Sequence, residues 1–213
     1  MTFIDTHAHL DGEEFREDLP AVIDRAREAG VGKIIVPAIN LDNVPAVLAL
    51  CRQYPGYCYP LVGLQPEEVD ASWEEALRRM RDYLSPEVIG IGECGLDFYW
   101  SREHEQEQLK AFEEQVRWSV ETRLPLMIHC RKAQQEMISI LRKYEEDLPG
   151  GVFHCFTGIF LCKCKFRTNI HRCHIMVNSN HGNTHNSNSP SYFTIPHSFH
   201  IKSNIPLATG YLI

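Results

Sequence analysis

Short apolar, β-branched runs alternate with amphipathic stretches at a nearly constant period, and this alternation limits the fold more than any other feature of the chain. The runs occupy residues 3–4, 33–36, 57–62, 88–91, 124–128 and 152–153. Between them, residues 13–29, 42–52, 72–84, 104–122 and 132–145 read as amphipathic helices, with apolar side chains at helical spacing clearest in the last two, as in Leu109, Phe112, Val116 and Val120. Strand starts fall about 30 residues apart, the length of one strand, a crossover helix and its connections. Units of this kind pair their strands in parallel and cover them with helices. About six units fill residues 1–158, and eight close a barrel of roughly 200 to 250 residues. The expected class is α/β: a (β/α)8 TIM barrel whose last two units are missing or replaced.

Residues 159–213 do not continue the pattern. All 28 acidic residues lie at or before Asp147, and residues 148–213 hold none. Of the 21 basic residues, Lys163, Lys165, Arg167, Arg172 and Lys202 lie downstream, so the formal charge is −12 upstream and +5 downstream. Asn, Ser, His and Cys dominate this stretch without helical or alternating period. It is expected to be a poorly ordered tail that was not selected with the rest, such as a frameshifted or recombined gene end. The 44% hydrophobic content excludes a disordered chain. A net charge of −7 leaves no broad cationic face to coat duplex DNA, so any nucleic acid would be gripped locally, at a site. No stretch approaches the roughly 20 apolar residues of a membrane span, and the N-terminus lacks a signal-peptide pattern. A cytoplasmic protein is expected, a monomer with its eight Cys reduced and no membrane association.

In a parallel barrel the reactive side chains gather at the C-terminal ends of the strands. His7 and His9 follow the first run, Glu93 the fourth, His129 the fifth and His154 the sixth. Two residues apart on an extended strand, His7 and His9 face the same way about 6.6 Å apart and can share one ion. Glu93, inside Gly90-Ile-Gly-Glu-Cys-Gly95, can offer one oxygen to each of two ions, with His129 and His154 serving the second. Mixed imidazole and carboxylate donors suit Zn²⁺, Mn²⁺ or Fe better than they suit an all-oxygen Mg²⁺ or Ca²⁺ cage. Singly, each residue has a plainer role: a surface His-x-His, core histidines bonded to carbonyls, a Glu capping a turn. Their recurrence at one position of successive units is what favours a metal centre. Arg131, two residues past His129, is a candidate phosphate clamp or else a surface ion-pair partner. Phe98, Tyr99 and Trp100 could stack an unpaired base or pack as a lid. Cys94, Cys130 and Cys155 each follow a ligand candidate and should turn into the barrel wall. Cys162 and Cys164, with His181 and His185, are spaced too tightly for a zinc finger.

Four segments carry a family resemblance: Phe3-Ile-Asp-Thr-His-Ala-His-Leu-Asp11, Ile89-Gly-Ile-Gly-Glu-Cys-Gly-Leu-Asp-Phe98, Leu124-Pro-Leu-Met-Ile-His-Cys-Arg-Lys-Ala133 and Gly151-Val-Phe-His-Cys-Phe-Thr-Gly158. Together, over about residues 2–158, the chain resembles the TatD-related metal-dependent deoxyribonucleases. The resemblance implies a (β/α)8 barrel of the metal-dependent amidohydrolase type, with two divalent ions (Zn, Mn or Mg). It also implies hydrolysis of DNA, usually as an exonuclease on single strands or ends. Carried over by motif, the ligands fall on His7, His9, Glu93, His129 and His154, with Glu93 the catalytic bridge. A paired metal centre of this type activates water for in-line attack on a phosphodiester. The pattern departs at two places. The family's Glu-Thr-Asp-Ser-Pro motif, which supplies a metal-ligating Asp, has no counterpart, since no Asp follows Asp147. Gly63-Leu-Gln-Pro66 stands where the family usually has Gly-x-His-Pro, so Gln65 is expected to bind substrate or water without shuttling a proton. Two alternatives stand beside this reading: a hydrolase of a small amide, ester or lactone on the same scaffold, and an inactive truncated relative that only binds metal.

Overall fold

The computed structural model describes residues 3–154 and 174–175. Contacts divide the chain into Met1–Ser179 and Asn180–Ile213, and the described residues belong to the first unit. Seven strands lie side by side in chain order: β1 (Phe3–Asp5), β2 (Val31–Pro37), β3 (Cys58–Val62), β4 (Gly90–Asp97), β5 (Leu126–Arg131), β6 (Gly151–His154) and β7 (His174–Ile175). Every neighbouring pair is parallel. Five helices form the crossovers: α1 (Leu19–Glu28), α2 (Val44–Gln53), α3 (Trp73–Arg81), α4 (Glu105–Thr122) and α5 (Gln134–Arg142). The repeating strand-helix units of an α/β barrel are therefore present, and a two-residue seventh strand extends the sheet beyond the six runs. Apart from β7, the features read in the downstream segment, Cys155, Cys162, Cys164, His181 and His185 among them, lie outside the described residues. Among those residues no helix is long and apolar enough to cross a membrane.

Local chemistry moved several boundaries. Residues 13–15 form a separate 3-10 turn, and α1 begins only where Pro20 occupies its first turn. A proline is accepted there because the N–H it lacks has no helical acceptor anyway. Helix α4 stops where Arg123 takes a left-handed conformation (φ 61°), just ahead of Pro125. The largest shift concerns β4, which starts at Gly90 and runs to Asp97, so Glu93 lies within the strand and not beyond its end. Its glycines, which suggest a turn in sequence, are required by close strand packing. A Cβ on Gly95 (φ 143°) would lie 2.0 Å from the His129 carbonyl oxygen.

Strand β4 is buried at every position, between β3 and β5. Helix α4 lies against it with Phe112, Val116 and Trp118 in the core. Two glutamines on that same helix are also buried. Gln115 accepts from Leu64 N–H (2.8 Å) and donates to the Leu64 carbonyl (3.1 Å), which ties the loop after β3 to the helix. Gln108 accepts from the Asp97 N–H (2.9 Å) and anchors the end of β4. Paired in this way, such amide groups avoid the roughly 1–3 kcal/mol cost of an orphaned buried polar group. Cys94 and Cys130 are buried small side chains, as their alternation with the ligand candidates predicts. By contrast β1 pairs only with β2 among the described residues, and its Phe3 and Ile4 are exposed.

Candidate metal centre

The loops leaving β1, β2 and β3 are fastened to one another before any ligand is considered. Asn43 accepts from the Ile39 and Asn40 N–H groups, Asn40 accepts from the Asn43 N–H, and Asn43 Nδ2 donates to Asp11 Oδ2 at 2.8 Å. Asn40 Nδ2 in turn donates to Glu68 Oε2 at 2.8 Å. Asp11 follows the first strand and Glu68 the third, so the asparagine pair of the second unit holds three strand ends in one arrangement. Within it, the His7 N–H donates to Asp5 Oδ1 (3.0 Å), which fixes the turn just after β1.

All five sequence-predicted ligands converge. His7 Nε2 and His9 Nε2 are 2.9 Å apart, and they lie 3.4 and 3.5 Å from Glu93 Oε2. The other Glu93 oxygen, Oε1, is 3.1 Å from His129 Nδ1 and 3.8 Å from His154 Nε2. His129 and His154 are register partners across β5 and β6, and the His7 and His154 rings stack with centroids 3.6 Å apart. The donor atoms form two triads that share one carboxylate: His7, His9 and Glu93, then Glu93, His129 and His154, each set within 4.8 Å.

The donors fit divalent cations on chemical grounds. Nitrogen or oxygen donors about 2.1 Å from a tetrahedral ion sit roughly 3.4 Å from one another, which is the spacing seen around Glu93. Two imidazole nitrogens 2.9 Å apart also require a proton or a cation between them. Glu93 Oε2 is buried and accepts no hydrogen bond, an arrangement that costs stability unless a positive charge meets it. Burial works against the Glu93 carboxylate, but the imidazoles of His129, His9 and His7 outweigh it and keep the group ionised far below the usual carboxylate range. Burial lowers His7 to about 3 and also lowers His154, so both rings are neutral with a lone pair to give. Glu93 raises His9.

His129 is held differently. Its Nε2–H donates to Asp97 Oδ2 at 2.8 Å, both side chains being buried. That bond leaves Nδ1, the nitrogen facing Glu93, as the one available to a metal, the usual way a carboxylate fixes the tautomer of a ligating histidine. Burial opposes the imidazolium, yet the hydrogen bonds to Asp97 and Glu93 carry the His129 pKa up to about 9. Asp97 is itself fixed, its Oδ1 accepting from the Tyr99 N–H at 2.8 Å. Sequence reasoning missed Asp97, because neither the extent nor the complete burial of β4 is legible before β5 is placed beside it. Glu67 was missed as well. It sits in the 3-10 turn Pro66–Glu68 with its carboxylate near Asp97 and His129, and burial and Asp97 raise its pKa.

Gln65 is half-buried just ahead of that turn, its N–H donating to the Ile39 carbonyl at 2.8 Å. Arg131 is paired in register with Asp97 and lies over the Tyr99 ring at 3.6 Å. The three aromatics divide: Phe98 is buried, whereas Tyr99 and Trp100 are exposed.

Comparisons with known proteins identify relatives of this chain. A family model described as TatD related DNase matches residues 4–170. A 3'-5' ssDNA/RNA exonuclease TatD of Erwinia tasmaniensis is 39% identical over 155 residues, 72% of this chain and 60% of the relative. The protein of that description from Edwardsiella piscicida is 35% identical, covering 73% of this chain and 60% of its own. The chain thus spans about 60% of the length of the curated relatives it matches. Among solved structures, YJJV, a TatD homologue from Escherichia coli K12, superposes with a TM-score of 0.65 at 34% identity, over 74% of this chain and 61% of that one. An uncharacterised amidohydrolase from Saccharomyces cerevisiae also reaches a TM-score of 0.65, at 18% identity over 82% and 67% of the two chains, a likeness of fold.

Proposed function

Because the chain belongs to the TatD-related DNase family, we propose that it is a metal-dependent hydrolase of phosphodiester bonds in DNA, acting as an exonuclease on single strands or free ends. One observation carries the reading: four imidazoles and a buried carboxylate meet at the mouth of a parallel sheet, with donor atoms at ligand spacing. Two divalent ions, drawn from Zn²⁺, Mn²⁺ and Mg²⁺, would be held by His7, His9 and Glu93 and by Glu93, His129 and His154. Such ions supply activated water and charge stabilisation at the phosphoryl group. The remaining work belongs to the protein. Glu93 spans the two triads and fixes their separation. Asp97 keeps Nδ1 of His129 turned inward. Arg131 would offer a planar fork of donors to a non-bridging phosphate oxygen pair, and Gln65, in the loop after β3, would bind phosphate or water. The curated relatives named as ssDNA/RNA exonucleases support the choice of substrate.

Purified protein given Mn²⁺, Mg²⁺ or Zn²⁺ should release nucleotides from single-stranded DNA, and Glu93→Ala should reduce that release to background. Turnover of an ester or amide panel with none of DNA would replace this reading with the small-substrate alternative.

A further inference from the structure

The loop that leaves β4 carries two exposed aromatic rings beside the Arg131 guanidinium. Tyr99 is 49% and Trp100 67% exposed, and their rings meet edge to face with centroids 4.8 Å apart. The Arg131 guanidinium lies 3.6 Å from the Tyr99 centroid and 5.1 Å from that of Trp100. A guanidinium stacked on a ring keeps its in-plane N–H donors free, and among the described residues Arg131 makes no ion pair with a carboxylate. The cluster is joined to the metal centre through two bonds: the Tyr99 N–H holds Asp97 Oδ1, and Asp97 Oδ2 holds His129. A ligand that satisfies this surface needs an anionic oxygen and a flat apolar face within a few ångströms of each other. A nucleotide has both.

We propose that Tyr99, Trp100 and Arg131 form a shelf for one unpaired nucleotide, its base stacked on the Trp100 indole and its phosphate on Arg131. The proposal names how the centre proposed above would grip a single strand and rests on that reading for its substrate. Stacking tolerates any base, because every base has a π face. The shelf therefore selects unpaired nucleotides over duplex without selecting sequence.

The test is binding to the full chain in EDTA, where no turnover occurs. Oligothymidylate and an abasic oligomer of equal length, each carrying a fluorescein label, are titrated by anisotropy to give affinities, with intrinsic tryptophan fluorescence followed in parallel. Trp118 is buried and Trp73 packs partly against the core, so Trp100 is the exposed reporter. Oligothymidylate should quench and bind about tenfold or more tightly than the abasic oligomer. Trp100→Ala should bring the two affinities to within roughly twofold, and Trp100→Phe should lose the quench but keep the base preference. Tyr99→Phe, which retains the ring beneath Arg131, should also keep the preference. Equal affinities for the two oligomers in the wild type, binding of neither, or an unchanged preference in Trp100→Ala overturns the shelf. Cleavage of DNA by metal-loaded protein lacking a base preference would leave the nuclease reading standing alone. A base preference without cleavage would leave only the shelf.

Discussion

The two triads share Glu93 but are built on different ground. His129 stands in β5 beside wholly buried β4, its side chain 5% exposed, its tautomer held by Asp97 and the strand end held by Gln108. His7 and His9 come after β1, whose Phe3 and Ile4 are exposed, and the His9 side chain is 38% exposed. Among the described residues no carboxylate stands behind His7; its Nδ1 faces the Met127 sulfur at 3.1 Å. The downstream carboxylate ligand that the family resemblance implies has no counterpart after Asp147. One triad thus takes its geometry from the core, the other from a clasp of loops around Asn43. Rigid placement of donors reduces the reorganisation that binding must overcome, so the β4–β5 triad should take its ion first and hold it more tightly.

The largest effect that could break this contrast is on folding. His129→Ala strands Asp97 and half of Glu93 as buried charges, and it should cost about 3 kcal/mol or more in urea denaturation of the metal-free protein. A loss under about 1 kcal/mol would mean the β5 triad is no better anchored than the other. Next comes Asp97→Asn, which should weaken the tighter ion roughly 10- to 100-fold by isothermal titration while leaving the weaker one in place. Equal losses at both would show that the triads are not independent. A pH series sharpens the comparison further. In the metal-free protein the His129 pKa stands at about 9 against an ordinary 6.5. The folded state therefore keeps a proton that the unfolded state has released. The stability this adds is complete below pH 6.5 and is lost as pH rises through about 9, with His9 acting in the same direction. The urea midpoint should fall over that range, and a midpoint that rises would overturn the assignment. The smallest effect should be His9→Ala, about 1 kcal/mol in stability because His129 and His7 remain beside Glu93, with only the weaker ion loosened.

Much of this was legible in the sequence, for reasons that differ by element. The period of the apolar runs gave the parallel order because each crossover must be long enough to return the chain to the same edge of the sheet. The five candidates could be read because each stands at or near the C-terminal end of an apolar run, although the structure puts Glu93 within its strand. The extent of β4 could not be read, since Gly90, Gly92 and Gly95 signal a turn locally and a close strand contact only when β5 is known. Asp97 was hidden for the same reason: its partner is 32 residues away in sequence. Tyr99 and Trp100 read alike with Phe98, and their separation into buried and exposed rings depends on which way the chain leaves the sheet.

Gly95 has a bearing on how a chain like this can diverge. With the His129 carbonyl 2.0 Å from where a methyl group would sit, even alanine would lever the fifth strand outward and widen the gap between Glu93 and His129. Neutral drift can rewrite the helix surfaces, yet it finds no path through this position. The donor geometry around Glu93 therefore depends on a residue with no side chain, and its replacement would disturb that geometry as surely as the loss of a histidine.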